Sequence, residues 1–182
     1  MGKCDGMVHL RRARKSDAES IARVHVQTWQ EAFRDQLPAP FLASLSVEAR
    51  ERYWANQLGV LAADRCPWLA DAAGEVVGFA HVGPSRDNDA VSSTGEVYAV
   101  YVLPDCWDRG VGRNLLKHGE RDLLTHGYDE ATLWVLDSSQ RARHFYEAAG
   151  WHTDGATRVV RTGSLETTEV RYRRSLAPSR VS

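Results

Sequence analysis

Alternating and helically spaced apolar residues divide this chain into a succession of strands and helices. Val8-His9-Leu10-Arg11 alternates, which predicts a short strand. Ile21, Val24, Trp29, Ala32 and Phe33 then recur at helical spacing, with Ser16 and Glu19 set for a capping box at the helix start. That helix should end before Pro38 and Pro40, since proline lacks a donor and disfavours a helical residue before it. Ser46 is the expected cap of a second helix through Tyr53, Trp54 and Leu58.

The period then shortens. Residues 67–70 and 76–82 predict two strands joined by a turn at 71–75, and the polar stretch 83–95 reads as an exposed loop. Glu96 to Val102 is a strand of β-branched and aromatic residues, stopped by Pro104. The loop DCWDRGVG (105–112) leads into a helix marked by Val111, Leu115, Leu116, Leu123 and Leu124, closed at His126-Gly127. Residues 131–136 form the next strand. Ser138 or Ser139 should cap a helix that carries Ala142, Phe145, Tyr146 and Ala149 on one face and closes at Gly150. Two last strands, near 157–161 and 167–174, would pair across Thr162-Gly163-Ser164. The order β, α, α, β, β, β, α, β, α, β, β predicts one mixed α/β sheet.

Composition narrows the function. The 182 residues are 43% hydrophobic, enough for one core and one domain. Lys plus Arg is 23 against 24 for Asp plus Glu, a net charge of −1 without the basic excess of a nucleic-acid binder. No stretch approaches the roughly 20 apolar residues of a membrane span. The opening MGKCDGMVHLRRARK lacks the apolar centre of a signal peptide. The expectation is a cytoplasmic protein with no nucleic-acid or membrane partner. Cys4, Cys66 and Cys106 suit neither a disulfide framework nor a metal knot, and the scattered histidines suggest no metal.

The chemistry concentrates at residues 96–124. A glycine-containing loop between a strand end and a helix start turns N–H groups toward one centre, where the helix dipole also favours a phosphate. Gly110 and Gly112 allow close approach, with Arg109, Arg113 and Lys117 nearby. The plain alternative is a tight turn. The dinucleotide fingerprint fails because Leu115 stands where its third glycine belongs. A Walker loop fails because Arg113-Asn114 follows Gly112, and neither a hydrolase elbow nor His-Glu-x-x-His occurs.

The run from Val100 to Leu116 resembles the acetyl-CoA-binding motif of the GNAT N-acetyltransferases, Arg/Gln-x-x-Gly-x-Gly/Ala after a strand that ends near a proline. Ser139 to Trp151 is similar to a second family element, Asn-x-x-Ala-x-x-Phe-Tyr-x-x-x-Gly-Phe. Trp107 replaces the usual Arg or Gln, and Ser139 the usual asparagine. The resemblance implies the GNAT fold: a mixed, mostly antiparallel sheet of about seven strands flanked by helices, with a splayed parallel strand pair. It would occupy residues 8–174, leaving 1–7 and 175–182 as flexible termini. Acetyl-CoA is the implied cosubstrate. Its pantetheine arm would lie along Val100, Tyr101 and Val102, through backbone atoms at Val100 and Val102. The pyrophosphate would rest on Asp108, Arg109, Gly110, Val111, Gly112 and Arg113, with Ser139 at a further cofactor position. Homodimers are common in the family.

The implied reaction is attack of a neutral primary amine on the thioester. An amine of pKa ~10.4 is only about 0.04% neutral at pH 7, a penalty of ~4.6 kcal/mol that makes a base worth having. Glu96 is the candidate, an ionised residue in an apolar strand, on one face with Tyr98, Val100 and Val102. A glutamate six residues before the strand-ending valine is the general base in some histone-acetylating members. The competing reading places Glu96 at a solvated strand start, paired with an arginine. Tyr146 is the candidate acid for the departing thiolate; the alternative is an aromatic packed beside Phe145. His25, His81 and Cys106 are weaker candidates, and Trp29, Phe33, Tyr53 and Trp54 border the family's acceptor side. The acceptor would be a small amine or amino acid, a peptide N-terminus or an antibiotic amine. Two other classes stay open: a noncatalytic acyl-CoA-binding or regulatory module, and a nucleotide-binding or structural one.

Overall fold

The computed structural model describes Cys4 and residues 7–62, 65–162 and 165–177. Strand β1 (Val8–Arg12) leads through a 3₁₀ turn, Lys15–Asp17, into helix α1 (Ala18–Ala32). The start of this helix corrects the Ser16–Glu19 expectation. Asp17 accepts the Arg14 N–H at 2.7 Å and both Nη atoms of Arg11 at 2.8 and 2.9 Å. Asp17, not Ser16, stands at the N-cap of α1, and its carboxylate is engaged by Arg11 and the Arg14 amide and makes no capping bond to a helix amide.

Helix α1 ends before Pro38 and Pro40, as expected, and an additional short helix follows. Pro40 sits in the first turn of a short helix, α2 (Ala39–Ala43), where a missing N–H costs nothing. Helix α3 (Val47–Val60) begins as expected, with Ser46 Oγ accepting the Ala49 N–H at 3.0 Å. Strands β2 (Trp68–Ala72) and β3 (Glu75–Pro84) run closer together than the expected five-residue turn allows. Ala73 and Gly74 suffice, because φ values of 52° and 87° match the twist of a two-residue hairpin.

The rest follows the expected order: β4 (Thr94–Val102), α4 (Val111–Thr125), β5 (Glu130–Leu136), α5 (Gln140–Ala148), β6 (His152–Thr162) and β7 (Leu165–Ser175). The last two pair from Thr162↔Leu165 inward, and the expected turn residues Gly163 and Ser164 lie outside the described residues. Most of the two expected termini lies outside them as well. The strands form one seven-stranded sheet in the order β1-β2-β3-β4-β5-β7-β6. Pairs β1–β2, β2–β3, β5–β7 and β6–β7 are antiparallel, whereas β4 and β5 run parallel through Thr94↔Glu130, Gly95↔Ala131 and Glu96↔Thr132. This is the mixed, mostly antiparallel sheet expected above. Among the described residues no helix is long and apolar enough to cross a membrane.

The described residues gather into two compact units: those up to His81 with Ala99–Gly119, and Val82–Tyr98 with those from Glu120 on. In the first, Ile21 and Val24 of α1, Trp54 and Leu58 of α3, Leu69, Val77 and Phe79 of the sheet and Leu115 of α4 form a buried core. In the second, Val97, Leu133, Val135, Trp151 and Tyr172 are buried, and Glu120 accepts from Trp151 Nε1 and Arg174 Nη1, both at 2.9 Å.

The cysteine expectation is overturned. Cys4 and Cys106 form a disulfide, their Cα atoms 5.5 Å apart across a sequence separation of 102. Linear spacing carries no information about such a pair, because the fold brings the two ends together. Closing so long a loop restricts the unfolded chain, so reduction is expected to cost about 2–4 kcal/mol. Urea unfolding with and without reductant checks this; identical midpoints would contradict it.

Candidate active site

The first unit supplies the glycine loop. At its root, Leu103 N–H donates to the Val77 carbonyl at 2.8 Å, and the Val102 carbonyl accepts from Thr28 Oγ1 at 3.1 Å and Trp107 Nε1 at 2.7 Å. A carbonyl oxygen has two acceptor directions, so this one is filled, and a ligand contact at Val102 must use another backbone atom. Trp107, the departure from the family motif, therefore anchors the loop through its indole. A 3₁₀ turn at Pro104–Cys106, held by the disulfide, precedes it.

Asp108 and Gly110 both take left-handed backbones, φ 60° and 78°. No heavy atom lies within 4 Å of a Cβ built on Gly110, so conformation rather than crowding demands the glycine. Left-handed residues alternating with right-handed ones curl successive N–H groups into an anion-binding concavity. Helix α4 opens at once, Asn114 N–H reaching the Gly110 carbonyl at 3.0 Å. The N–H groups of Val111, Gly112 and Arg113 precede that first helical bond and point back along the helix axis. Val111 is buried, while Asp108, Arg109, Gly110 and Arg113 are exposed. Val100 and Tyr101 are half-buried, and the Tyr101 ring lies 5.5 Å from Phe79.

The second unit holds Glu96, Ser139 and Tyr146. Glu96 is 2% exposed and accepts from Arg86 three times: backbone N–H at 2.9 Å, Nε at 3.1 Å and Nη2 at 2.5 Å. The solvated strand start is thus excluded, while the arginine partner is real. Arg86 sits in the loop 85–93, whose polar sequence carries no period that points to it or to the bonds that hold this loop. Asp87 accepts from Thr132 Oγ1 (3.1 Å), Trp134 Nε1 (2.8 Å) and Arg171 Nη1 (3.2 Å). Arg171 also forks onto Asp89 at 2.7 and 2.8 Å and reaches Asp154 at 2.8 Å. The density of charge in Arg86-Asp87-Asn88-Asp89 was the only signal of this network in the sequence.

Ser139 is buried, yet its side chain makes no capping bond at α5, which corrects the cap expectation. Its backbone serves instead: the N–H donates to Leu136 at 2.8 Å and the carbonyl accepts from Arg143 at 3.0 Å. Tyr146 is half-buried, its ring 5.0 Å from Phe145 and 6.3 Å from Trp151. Glu96 and Tyr146 stand on different elements of this unit, each held by its own neighbours.

His25 belongs to the aromatic core of the first unit, 5.0 Å from the Tyr101 ring and 5.8 Å from Trp29. Burial, with the Arg50 charge adding to it, pulls its pKa from 6.5 to about 3, so the ring is neutral at pH 7 and no acid for the reaction. The unfolded chain takes up this proton below 6.5 and the folded one only near 3. The stability this group confers is therefore complete above pH 6.5 and falls away as pH drops toward 3. The loss amounts to about 2 kcal/mol by pH 5. His25→Phe is expected to flatten the stability–pH curve across that window; an unchanged slope in urea unfolding would contradict it.

Comparison with known proteins bears on the whole arrangement. Over 144 residues the chain is 35% identical to the uncharacterized N-acetyltransferase YuaI of Bacillus subtilis (strain 168), covering 78% of this chain and 79% of that one. PaiA N-acetyltransferase from Thermoplasma acidophilum, solved in complex with coenzyme A, shares the fold with a TM-score of 0.75 at 17% identity, over 93% of this chain and 99% of that one. So does yncA from Salmonella typhimurium, solved with its cofactor acetyl-CoA, with a TM-score of 0.69 at 17% identity, over 97% and 98%. The profile of the acetyltransferase (GNAT) family matches residues 25–151, a stretch that contains the glycine loop, Glu96 and Tyr146. With the motif, the sheet and the sequence match in agreement, the chain belongs to the GNAT acetyltransferase family.

Proposed function

We propose that this protein is an N-acetyltransferase that moves an acetyl group from acetyl-CoA to a primary amine by direct attack in a ternary complex. The observation that carries the reading is the loop Trp107–Arg113: two left-handed residues leading directly into the start of α4 fit a pyrophosphate without a side-chain donor from Trp107. Acetyl-CoA, when bound, supplies the thioester carbonyl that the amine attacks. Asp108 to Arg113 bind its phosphates, and backbone atoms at Val100 and Val102 other than the Val102 carbonyl hold its pantetheine arm. Glu96 takes the proton that the amine must lose, and the Tyr146 hydroxyl gives a proton to the departing sulfur. A residue pair at Glu96 and Tyr146 needs no covalent enzyme intermediate, and the disulfide occupies Cys106 in any case.

The test is thiol release from acetyl-CoA across a panel of small amines, amino acids, aminoglycosides and peptides with free N-termini, with the acetylated product identified by mass. Release with at least one amine, and its loss in Tyr146→Phe with acetyl-CoA binding retained, is the expected result. The burial of Glu96, only 2% exposed, favours a second reading, an acyl-CoA-binding module without turnover. Binding of acetyl-CoA with no amine accepted would favour that module.

A further inference from the structure

We propose that Arg86 is a positioning residue for acetyl transfer, aiming the Glu96 carboxylate so that one acceptor direction, on Oε1, is left for the acceptor amine. The inference rests on Glu96 acting as the base. An ionised carboxylate offers about four acceptor directions. Arg86 fills two on Oε2, with its backbone N–H at 2.9 Å and Nε at 3.1 Å, and one on Oε1, with Nη2 at 2.5 Å. Because Glu96 is 2% exposed, bulk water does not compete for the fourth.

The arginine is itself held from both sides. Its guanidinium lies 4.1 Å over the Tyr98 ring, and the Tyr98 hydroxyl donates to the Pro84 carbonyl at 2.6 Å. Ser85 N–H donates to the Thr94 carbonyl at 3.0 Å on the preceding side. On the following side Asp87 is fastened to Thr132, Trp134 and Arg171. The backbone N–H that pins Oε2 thus cannot drift, and the side-chain fork fixes the carboxylate plane. Lysine would keep the charge and lose the fork. An exposed arginine serving solubility alone would need none of these attachments.

The experiment compares kcat and KM for both substrates in the wild type, Arg86→Lys, Arg86→Ala, Glu96→Gln and the double variant Glu96→Gln with Arg86→Ala, using the best amine from the panel. Arg86→Lys is expected to lower kcat about tenfold or more and Arg86→Ala about a hundredfold, with KM for acetyl-CoA unchanged. Added guanidinium should restore part of the Arg86→Ala loss. In the Glu96→Gln background Arg86→Ala should cost little further, since the two act as a unit. Wild-type kcat in Arg86→Lys, or a full additional loss in the double variant, would overturn the proposal. Should Arg86→Ala fail to fold, Arg86→Lys and its guanidinium-independent kcat carry the test alone. A wild-type kcat in Glu96→Gln would instead remove the base assignment beneath it, a distinct outcome.

Discussion

Glu96→Gln is expected to lower kcat by about 10²–10⁴-fold while leaving acetyl-CoA affinity unchanged. The amide preserves the size of the side chain and, with its oxygen in the Oε2 place, still accepts from the Arg86 N–H and Nε; only the bond from Nη2 is lost, so the fold should survive. What it loses is the power to take a proton. At neutral pH nearly every acceptor amine is an ammonium, and the few neutral molecules must still shed a proton as the bond to carbon forms. That loss corresponds to roughly 2.7–5.5 kcal/mol of transition-state stabilisation. The deficit should shrink as pH rises toward the pKa of the acceptor, because bulk solvent then does the deprotonation. A kcat within threefold of wild type at pH 7, or a deficit independent of pH, would contradict a base at this position.

Arg171→Met should cost about 3–5 kcal/mol of stability, because it strands a buried carboxylate. The Arg171 and Asp87 side chains are each only 8% exposed, and Thr132 and Trp134 depend on Asp87 for their own bonds. The Arg171 hydrogen bond also holds the pKa of Asp89 down to about 2. That contribution is complete above the ordinary carboxylate range and is lost as pH falls toward 2, so the variant should lose less on acidification than the wild type. Urea unfolding at pH 7 measures the main effect; a change under 1 kcal/mol would mean that the clasp adds nothing. Because the clasp also seats Arg86, the surviving folded fraction should show a reduced kcat.

Much of this architecture is legible in the bare chain, for identifiable reasons. Strand β4 announces itself through its run of β-branched and aromatic residues from Val97 to Val102, and α4 through Val111, Leu115 and Leu123, buried at helical spacing. Gly110 is readable because a left-handed residue before a helix all but requires glycine or a short polar residue. The failures share a cause as well. Asp17 and not Ser16 stands at the N-cap of α1, with its carboxylate taken by Arg11 from the preceding strand. The Cys4–Cys106 bond, the Trp107 anchor on Val102 and the Arg86 hold on Glu96 join residues whose pairing is set by the fold and leaves no periodic trace. Glu96 itself was recognisable as an odd charge in an apolar strand. Its partner was not, since the loop 85–93 has no period to read.

Thermal unfolding with each of acetyl-CoA, NAD and ATP in turn decides whether the glycine loop binds acetyl-CoA. At 100 times its dissociation constant a specific ligand stabilises the fold by ~2.7 kcal/mol, which for a chain of this size is a rise of roughly 5–10 °C. That rise is expected with acetyl-CoA alone. A well-folded sample that shows none, or that responds to NAD or ATP instead, would contradict it.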